Sequence, residues 1–198
     1  HNKIGKYMKK FITLLTLLIV ACTTEGFTPP YEAIEVQDPR ESVIVESEIF
    51  KLEYNEILEQ PVWVEYTVQC PLPGVDRGSM DFWKPEGILT SDNDDYYSNR
   101  WDKGHMAPAG SFNDSYENLY STFTFLNAAL QYDDLNRGAW VDLEEQVREW
   151  ADEFGDLDIE IYLEFDTNHI ILESEAHVPS AFYKYVSLPD GSKKCYYF

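Results

Sequence analysis

The spacing of apolar residues predicts one long amphipathic helix in the C-terminal half of the chain. Apolar side chains recur there at intervals of three and four residues, which places them on one helical face. They are Trp140, Leu143, Val147, Trp150, Ala151 and Phe154. Asn136 is suited to cap the first free amide groups, and Gly155 to end the helix. We therefore predict a helix over residues 136–153.

Other segments alternate apolar and polar residues or are rich in β-branched and aromatic side chains, which is typical of strands. These segments predict strands at residues 61–68, 122–127, 159–165, 169–172 and 182–188. Residues 76–99 are acidic and indicate a long loop, in which Asp92, Asp94 and Asp95 lie close together. The loop lacks the twelve-residue ligand pattern of a calcium site, so a solvated loop is the favoured interpretation.

The N-terminal residues 1–21 resemble a leader peptide. Residues 11–20 are largely apolar and follow lysines, but they are too few to span a bilayer. Ala21 precedes Cys22, as in a bacterial lipoprotein signal, and this interpretation is favoured over an ordinary secretory signal. We expect the natural start at Met8, a lipid anchor at Cys22, and an acidic, proline-containing tether over residues 22–45.

Length and charge limit the class of protein that follows the tether. The chain has 198 residues, which suits one domain, here residues 46–198, after a short leader. Four of the 15 basic residues precede the first acid, Glu25, so the remainder carries 11 basic and 36 acidic residues, a net charge of −25. Such a surface does not attract a polyanion broadly, so a nucleic acid would have to be held locally by a metal and a few cations.

The sequence offers three histidines outside the leader, and one of them has a suggestive neighbourhood. His105 lies in WDKGHMAPAGSF, after Asp102, Lys103 and a glycine that allows close backbone approach. Its ordinary titration near neutrality suits proton transfer, although a structural role is equally compatible with these features. His169 and His177 are interpreted as structural or surface residues. Cys70 and Cys195 either form a disulfide or remain free thiols, and sequence does not decide between them.

Two polar residues of the predicted helix could take part in a metal site. Asn136 and Glu144 are eight residues apart, roughly 80° around an α-helix and about 12 Å along it, so one ion would not bind both directly. One could be a ligand while the other acts through water, as is typical of magnesium. A helix cap at Asn136 and a solvated helix face at Glu144 are the alternatives that these residues leave open.

The segments WDKGHMAPAGSF and FLNAALQYDDLNRGAWVDLEE together resemble the DNA/RNA non-specific endonuclease family. Flanking segments extend the resemblance over about residues 46–198. It implies an α+β fold of the ββα-metal type, with a mixed or antiparallel sheet and a metal-bearing helix. It also implies hydrolysis of phosphodiester bonds in DNA and RNA with Mg²⁺, or alternatively Mn²⁺, as the ion.

The resemblance assigns roles to individual residues. It implies that His105 is the general base, that Asn136 is the single protein ligand of the ion, and that Glu144 holds the hydrated ion through water. It implies supporting roles for Asp102 and Asn127. For substrate binding it implies Lys103, which would also aid catalysis, with Arg77 and more weakly Arg100 as further candidates.

This sequence departs from the family pattern in ways that leave a second hypothesis open. Lys103 stands where the family usually has arginine, and Ala128-Ala129-Leu130-Gln131 lacks the usual proline. The chain ends at Phe198, where we expect family members to continue a little further. A catalytically weakened homologue that serves as a cell-surface binding lipoprotein is therefore the alternative to an exported nuclease anchored in a bacterial membrane. Formation of a homodimer stays open.

Overall fold

The computed structural model describes residues 38–69 and 74–198. The strands are β1 (Val43–Glu46), β2 (Lys51–Asn55), β3 (Gln60–Val68), β4 (Trp101–His105), β5 (Ala128–Tyr132), β6 (Leu157–Glu164), β7 (Ala181–Ser187) and β8 (Lys193–Tyr197). The helices are α1 (Tyr116–Thr122), α2 (Asp133–Leu135) and α3 (Val141–Phe154), with a π-helical segment at Asn136–Trp140. Short 3-10 turns lie at Asn93–Tyr96, Ala109–Ser111 and Phe125–Asn127.

Six strands form one antiparallel sheet in the order β1-β2-β3-β6-β7-β8. In β6 the side chains alternate strictly between buried and more exposed positions, so one face of the sheet meets the core. The strands predicted at 61–68, 159–165 and 182–188 are confirmed as β3, β6 and β7. The buried face explains why their pattern was visible in the sequence.

A second, two-stranded sheet pairs β4 with β5 in antiparallel register, His105 opposite Ala128. The chain then runs from β5 through α2 and the π-helical segment into α3. Leu143, Val147 and Ala151 of α3 are buried along one face, as predicted from their spacing. We refer to β4, β5, the π-helical segment and α3 as the ββα module.

The predicted helix is confirmed, but its beginning differs from the prediction. Helical structure starts at Asp133, and Asn136 has helical backbone angles, so Asn136 does not cap this helix. The chain kinks at Gly138 (φ −117°, ψ −112°) before α3 continues to Phe154. Because a π-helical turn differs in residues per turn from an α-helix, the predicted angle between Asn136 and Glu144 does not apply.

Two predicted strands are wrong. Residues 122–127 form the end of α1 and a 3-10 turn, because the Thr124 hydroxyl accepts a hydrogen bond from the Leu126 amide and Asn127 bonds to neighbouring backbone. Such side-chain bonds compete with strand pairing. Residues 169–172 make a single bridge, Ile171 with His177, in place of a strand.

The acidic loop uses its carboxylates locally. Asp92 caps the 3-10 turn at Asn93–Tyr96, and Asp95 accepts a hydrogen bond from the Asp92 amide in return. Lys84 also donates to Asp92 at 3.0 Å. These contacts support the interpretation of the segment as a loop stabilised by its own side chains.

The sheet begins at Val43, three residues before the predicted domain boundary at Glu46. Arg40 forms an ion pair with the buried carboxylate of Glu56 at 2.6 Å, and hydrogen bonding to Arg40 lowers the pKa of Glu56 to about 2. The predicted leader, Met8, Cys22 and Cys70 lie outside the described residues, while Cys195 is an exposed free thiol. Within residues 38–69 and 74–198, no helix has both the length and the apolar character needed to cross a bilayer.

Candidate active site

A cleft of about 630 Å³ opens beside β4 and the start of the long helix. The residues that line it are distant in sequence. They come from a loop before β4, from β4, from the turn after β4, from the end of α1 and from the start of the long helix. They are Arg77, Asp81, Phe82, Asp102, Lys103, His105, Pro108, Ala109, Gly110, Phe123, Asn136, Arg137, Val141 and Glu144. The cleft therefore gathers six of the predicted site residues, from both resembling segments and the loop before them.

His105 is the last residue of β4 and lies between aromatic rings. Its imidazole centroid is 4.7 Å from the Phe82 ring and 4.9 Å from the Phe123 ring. Nε2 is buried and has no hydrogen-bond partner among the described residues. Burial, together with the positive charge of Arg77, lowers the pKa of His105 to about 3. The imidazole is therefore neutral at physiological pH, which is the form that can accept a proton.

The backbone around His105 is held from two sides. The Trp140 indole Nε1 donates to the His105 carbonyl at 3.3 Å. On the other side, the buried Asn127 side chain accepts from the Ala107 amide at 2.8 Å and donates to the Ala107 carbonyl at 2.9 Å. The Met106 amide also donates to the Asn127 carbonyl at 2.9 Å. Asn127 thus fixes the two residues that follow the imidazole.

Gly104 is needed because β5 approaches it closely. A Cβ atom at Gly104 would lie 2.4 Å from Oε1 of Gln131, which is paired with Asp102 on the neighbouring strand. The Gln131 side chain is buried, and neither its oxygen nor its nitrogen has a hydrogen-bond partner among the described residues. The glycine before His105 therefore makes room for a buried amide directly behind the cleft.

A carboxylate orients the amide of Asn136. Asn136 Nδ2 donates to Asp102 Oδ2 at 3.0 Å, and Arg137 binds the same carboxylate with Nε at 2.7 Å and Nη2 at 2.6 Å. The Arg137 contact and the Asn136 hydrogen bond lower the pKa of Asp102. A carboxylate only accepts hydrogen bonds, so the Asn136 nitrogen faces it and the amide oxygen is directed away from it.

Arg137 was missed from the sequence. It lies next to Asn136 and three residues after the acidic pair Asp133-Asp134. The signal in the sequence was therefore a single cation within the second motif. Its side chain is 70% exposed although both of its hydrogen bonds reach Asp102. A group held in this way can turn one face to a ligand in the cleft.

Glu144 lines the cleft, and Lys184 is buried behind it. Burial raises the pKa of Glu144, while the charges of Lys184 and Arg148 act in the opposite direction. Burial lowers the pKa of Lys184 to about 8, and the charge of Glu144 opposes this shift. Lys184 Nζ is 4.5 Å from the Trp140 ring centroid and has no hydrogen-bond partner among the described residues.

Lys184 was also missed, although the pattern contained a signal. It stands in β7 between Phe182 and Val186, two buried residues that share its face of the strand. A lysine at a core-facing position of a strand is rare unless the charge has a partner. Here the charge that favours the ammonium form is the carboxylate of Glu144.

Two of the three cations predicted to bind substrate line the cleft, and the third does not. Lys103 Nζ donates to Asp81 Oδ1 at 3.0 Å and also to Asn93 Oδ1. Arg77 is exposed at the mouth of the cleft, with its guanidinium 5.1 Å from the Phe123 ring centroid. Arg100 does not line the cleft; it contacts Asp133 and Asp134 and lies over Tyr132.

The oxygen atoms of the cleft fit a hard divalent cation that keeps most of its water. Asn136 offers a directed amide oxygen and Glu144 a carboxylate, both oxygen ligands of the kind that Mg²⁺ and Mn²⁺ prefer. No group of three or more His, Cys, Asp or Glu residues suited to a metal occurs among residues 38–69 and 74–198. An ion in this cleft would thus be bound by few protein atoms, with water or phosphate completing its coordination.

The antiparallel strand pair followed by a helix around this cleft is the ββα-metal nuclease fold. The chain belongs to the DNA/RNA non-specific endonuclease family, whose model matches residues 33–197. A crystal structure of the EndoG/EndoGI complex superposes with a TM-score of 0.66 at 25% identity, covering 78% of this chain and 72% of that chain. The fold and family expected from the two sequence motifs are confirmed.

Several nucleases are similar in sequence. The mitochondrial nuclease EXOG of Danio rerio is 32% identical over 111 residues, which are 54% of this chain and 32% of that protein. EXOG of Xenopus laevis is 31% identical over 152 residues, 68% of this chain and 42% of that protein. Nuclease C1 of Cunninghamella echinulata var. echinulata is 28% identical over 138 residues, 63% of this chain and 55% of that protein. The chain spans about a third to a half of the length of these relatives.

Proposed function

We propose that this protein is a divalent-metal-dependent endonuclease that hydrolyses phosphodiester bonds of DNA and RNA without regard to sequence. The observation that carries the proposal is the cleft that places the neutral imidazole of His105 with the directed amide oxygen of Asn136 and the carboxylate of Glu144. The nuclease names of the similar proteins agree with it. Mg²⁺ is the proposed ion, with Mn²⁺ as a substitute of the same ligand preference.

His105 is the proposed general base. Its imidazole takes the proton from the water whose oxygen attacks phosphorus, while the bond from phosphorus to the leaving sugar oxygen breaks. Arrival of the phosphodiester anion raises the pKa of the imidazole from its low value in the free protein, because the anion favours the protonated form. The hydrogen bonds from Trp140 and around Asn127 hold the backbone that carries the ring, and the Phe82 and Phe123 rings contact the imidazole itself.

Asn136 and Glu144 would hold the ion, Asn136 by its amide oxygen and Glu144 through bound water. Asp102 serves the site indirectly, because it fixes the amide of Asn136 and the guanidinium of Arg137 together. When bound, a divalent cation supplies positive charge against the phosphate oxygens and the leaving oxygen. Lys184 opposes the rise in the pKa of Glu144 and so favours its charged form.

Arg77 and Lys103 are the proposed contacts to substrate phosphates. Both line the cleft and can approach a phosphate without meeting a base, which gives binding independent of sequence. Arg100 contributes less in this proposal because its charge is already engaged with Asp133 and Asp134 outside the cleft. Lys103 offers a point charge and lacks the two-pronged geometry of arginine.

A catalytically weakened homologue that binds ligands at the cell surface is the second candidate. The ion pair of Lys103 with Asp81 favours it, because this contact competes with a substrate phosphate. The net charge of −25 after the leader acts in the same direction. The complete set of His105, Asn136 and Glu144 in one cleft favours the enzyme.

The proposed location is outside the cytoplasm, on a bacterial membrane, through a lipid anchor at Cys22. The lysine-rich start, the short apolar run and the Ala-Cys pair support this proposal. An outer membrane or cell-surface position is compatible with a tether of about twenty residues before the domain. Metabolic labelling with a fatty acid, lost in Cys22→Ser, tests the anchor.

Incubation of the full chain with plasmid DNA and with RNA tests the activity. Cleavage of both is expected with Mg²⁺ or Mn²⁺, and none with a chelator. Removing a general base typically costs ~10²–10⁴ in rate, so His105→Ala should be nearly inactive while His177→Ala, outside the cleft, cleaves normally. Equal metal-dependent rates for His105→Ala and the unaltered chain would reject His105 as the base. If neither the unaltered chain nor His105→Ala cleaves nucleic acid, with or without metal, the binding homologue is favoured.

A further inference from the structure

Three aromatic rings, two of them exposed and the third half-buried, form a parallel column next to the cleft. The Trp83 and Tyr120 rings stack with centroids 5.6 Å apart and planes 8° apart, and Tyr120 stacks on Tyr116 at 6.2 Å and 9°. Tyr116 is 58% exposed and Tyr120 43% exposed. We call Trp83, Tyr120 and Tyr116 the aromatic column.

The column is built rigidly onto the wall of the cleft. The Trp83 indole donates to the Tyr120 carbonyl at 3.2 Å, and the Trp83 amide donates to the Phe123 carbonyl at 2.8 Å. Phe123 lines the cleft beside His105 and caps the C-terminus of α1, whose first residue is Tyr116. At ~1.5 Å per residue, the backbone of Tyr116 lies roughly 10 Å from that of Phe123, about three nucleotides of a stacked strand.

The chemistry around the column suits bases better than phosphates. Glu117 follows Tyr116 on α1, and Asp114 precedes the helix, so the helix carries negative charge. An acidic surface weakens backbone binding, whereas stacking on an aromatic face needs no cation and tolerates every base. Each base pair inside a duplex already stacks on both neighbours, so an unpaired base offers a free face to Tyr116 that an interior pair does not.

We propose that the aromatic column is a subsite that stacks unpaired nucleobases of the substrate strand next to the cleft. This inference rests on the proposed nuclease function. The ring face of Tyr116 that does not contact Tyr120 receives a base about three nucleotides from the phosphate in the cleft. The column gives the protein affinity for single strands that its charge does not provide.

Binding of the full chain to a fluorescent single-stranded oligonucleotide in chelator tests the subsite without cleavage. Loss of a stacked base typically weakens binding by about fivefold or more, so Tyr116→Ala/Tyr120→Ala should weaken it by at least that factor. Tyr116→Phe/Tyr120→Phe keeps the rings and should bind normally. Tyr197→Ala removes a tyrosine that is 66% exposed on β8 and serves as the matched control.

Two further ligands separate stacking from other effects. The double alanine variant should bind an abasic strand of the same length, and a blunt duplex, as the unaltered chain does. The salt dependence of single-strand binding should keep its slope, because no phosphate contact is lost. Unchanged single-strand affinity in the double alanine variant, or equal loss for the abasic strand, would overturn the subsite. Plasmid cleavage by the unaltered chain reports separately on the proposed function, so failure of the subsite and failure of the nuclease are distinguishable.

Discussion

The six-stranded sheet and the ββα module share one apolar core but differ in the polar groups that they bury. The sheet buries aliphatic side chains with no accessible surface, among them Leu52, Val64 and Ile161. The ββα module buries polar groups at its centre, including Gln131 and the His105 Nε2 atom, neither of which has a hydrogen-bond partner among the described residues. The sheet also buries polar atoms without partners, Trp63 Nε1 and Lys184 Nζ, but those of the module lie at His105 and on the strand paired with it.

The proposed chemistry therefore lies where buried polar groups are concentrated around the cleft. Buried polar groups without partners cost free energy, and native proteins retain few of them. Around His105 this cost in free energy accompanies a property that the proposed reaction needs, because burial lowers the pKa of the imidazole and keeps it neutral. Lys184 belongs to the sheet but lies over Trp140 of the module, so it marks the place where the two regions meet.

The largest expected effect is on the sheet. Ile161→Ala in β6 removes a side chain with no exposed surface and should lower the free energy of unfolding by about 2–5 kcal/mol. Urea denaturation measures this loss. The matched variant Ile170→Ala, at a position 53% exposed, should lose far less. Equal losses at both positions would mean that the sheet face is not the stabilising core.

The next effect is on the module. Gly104→Ala places a Cβ atom against Gln131 and should destabilise the protein by about 1–3 kcal/mol. Gln131→Ala in the same chain should restore most of that loss because it removes the clashing atoms. Gly110→Ala, whose Cβ atom would meet only the guanidinium end of the flexible Arg148 side chain at 3.2 Å, is the control. Thermal unfolding of these three variants and the unaltered chain tests the close approach, and absence of rescue would contradict it.

A smaller effect, on activity alone, is expected at the meeting point of the two regions. Lys184→Met replaces a buried charge without a hydrogen bond by an apolar chain of similar shape, so stability should be unchanged or higher. The pKa of Glu144 should rise further without the opposing charge. We expect kcat/KM near neutral pH to fall by about tenfold and to recover at higher pH. If Lys184→Met lowers stability but leaves the pH dependence of kcat/KM unchanged, Lys184 stabilises the fold and does not act on the site.

The sequence patterns predicted the sheet and the long helix because burial on one face imposes a regular period. Strands β3, β6 and β7 and the apolar face of α3 all follow it. The two motifs that carry the family resemblance predicted the ββα fold and five of the residues that line the cleft, namely Asp102, Lys103, His105, Asn136 and Glu144. Asn127, assigned a supporting role by that resemblance, bonds to both backbone groups of Ala107.

Local hydrogen bonding explains what the patterns did not predict. Residues 122–127 alternate like a strand, yet Thr124 and Asn127 use their side chains to form a turn. The start of the helix was misplaced because Asn136 has the character of a cap while its amide is engaged with Asp102 across the cleft. Lys184 and Arg137 act through partners far away in sequence, so no local period indicates them.

Titration of the His105 ring by NMR in the full chain tests most directly that the cleft holds a neutral imidazole. We expect a midpoint near 3, well below the ordinary 6.5, and an upward shift in Arg77→Ala because a nearby positive charge is removed. The unfolded chain binds this proton near pH 6.5, so His105 should also make the free energy of unfolding fall as the pH decreases from about 6.5 towards 3. A midpoint at or above 6.5 would contradict a buried neutral base at the centre of the site.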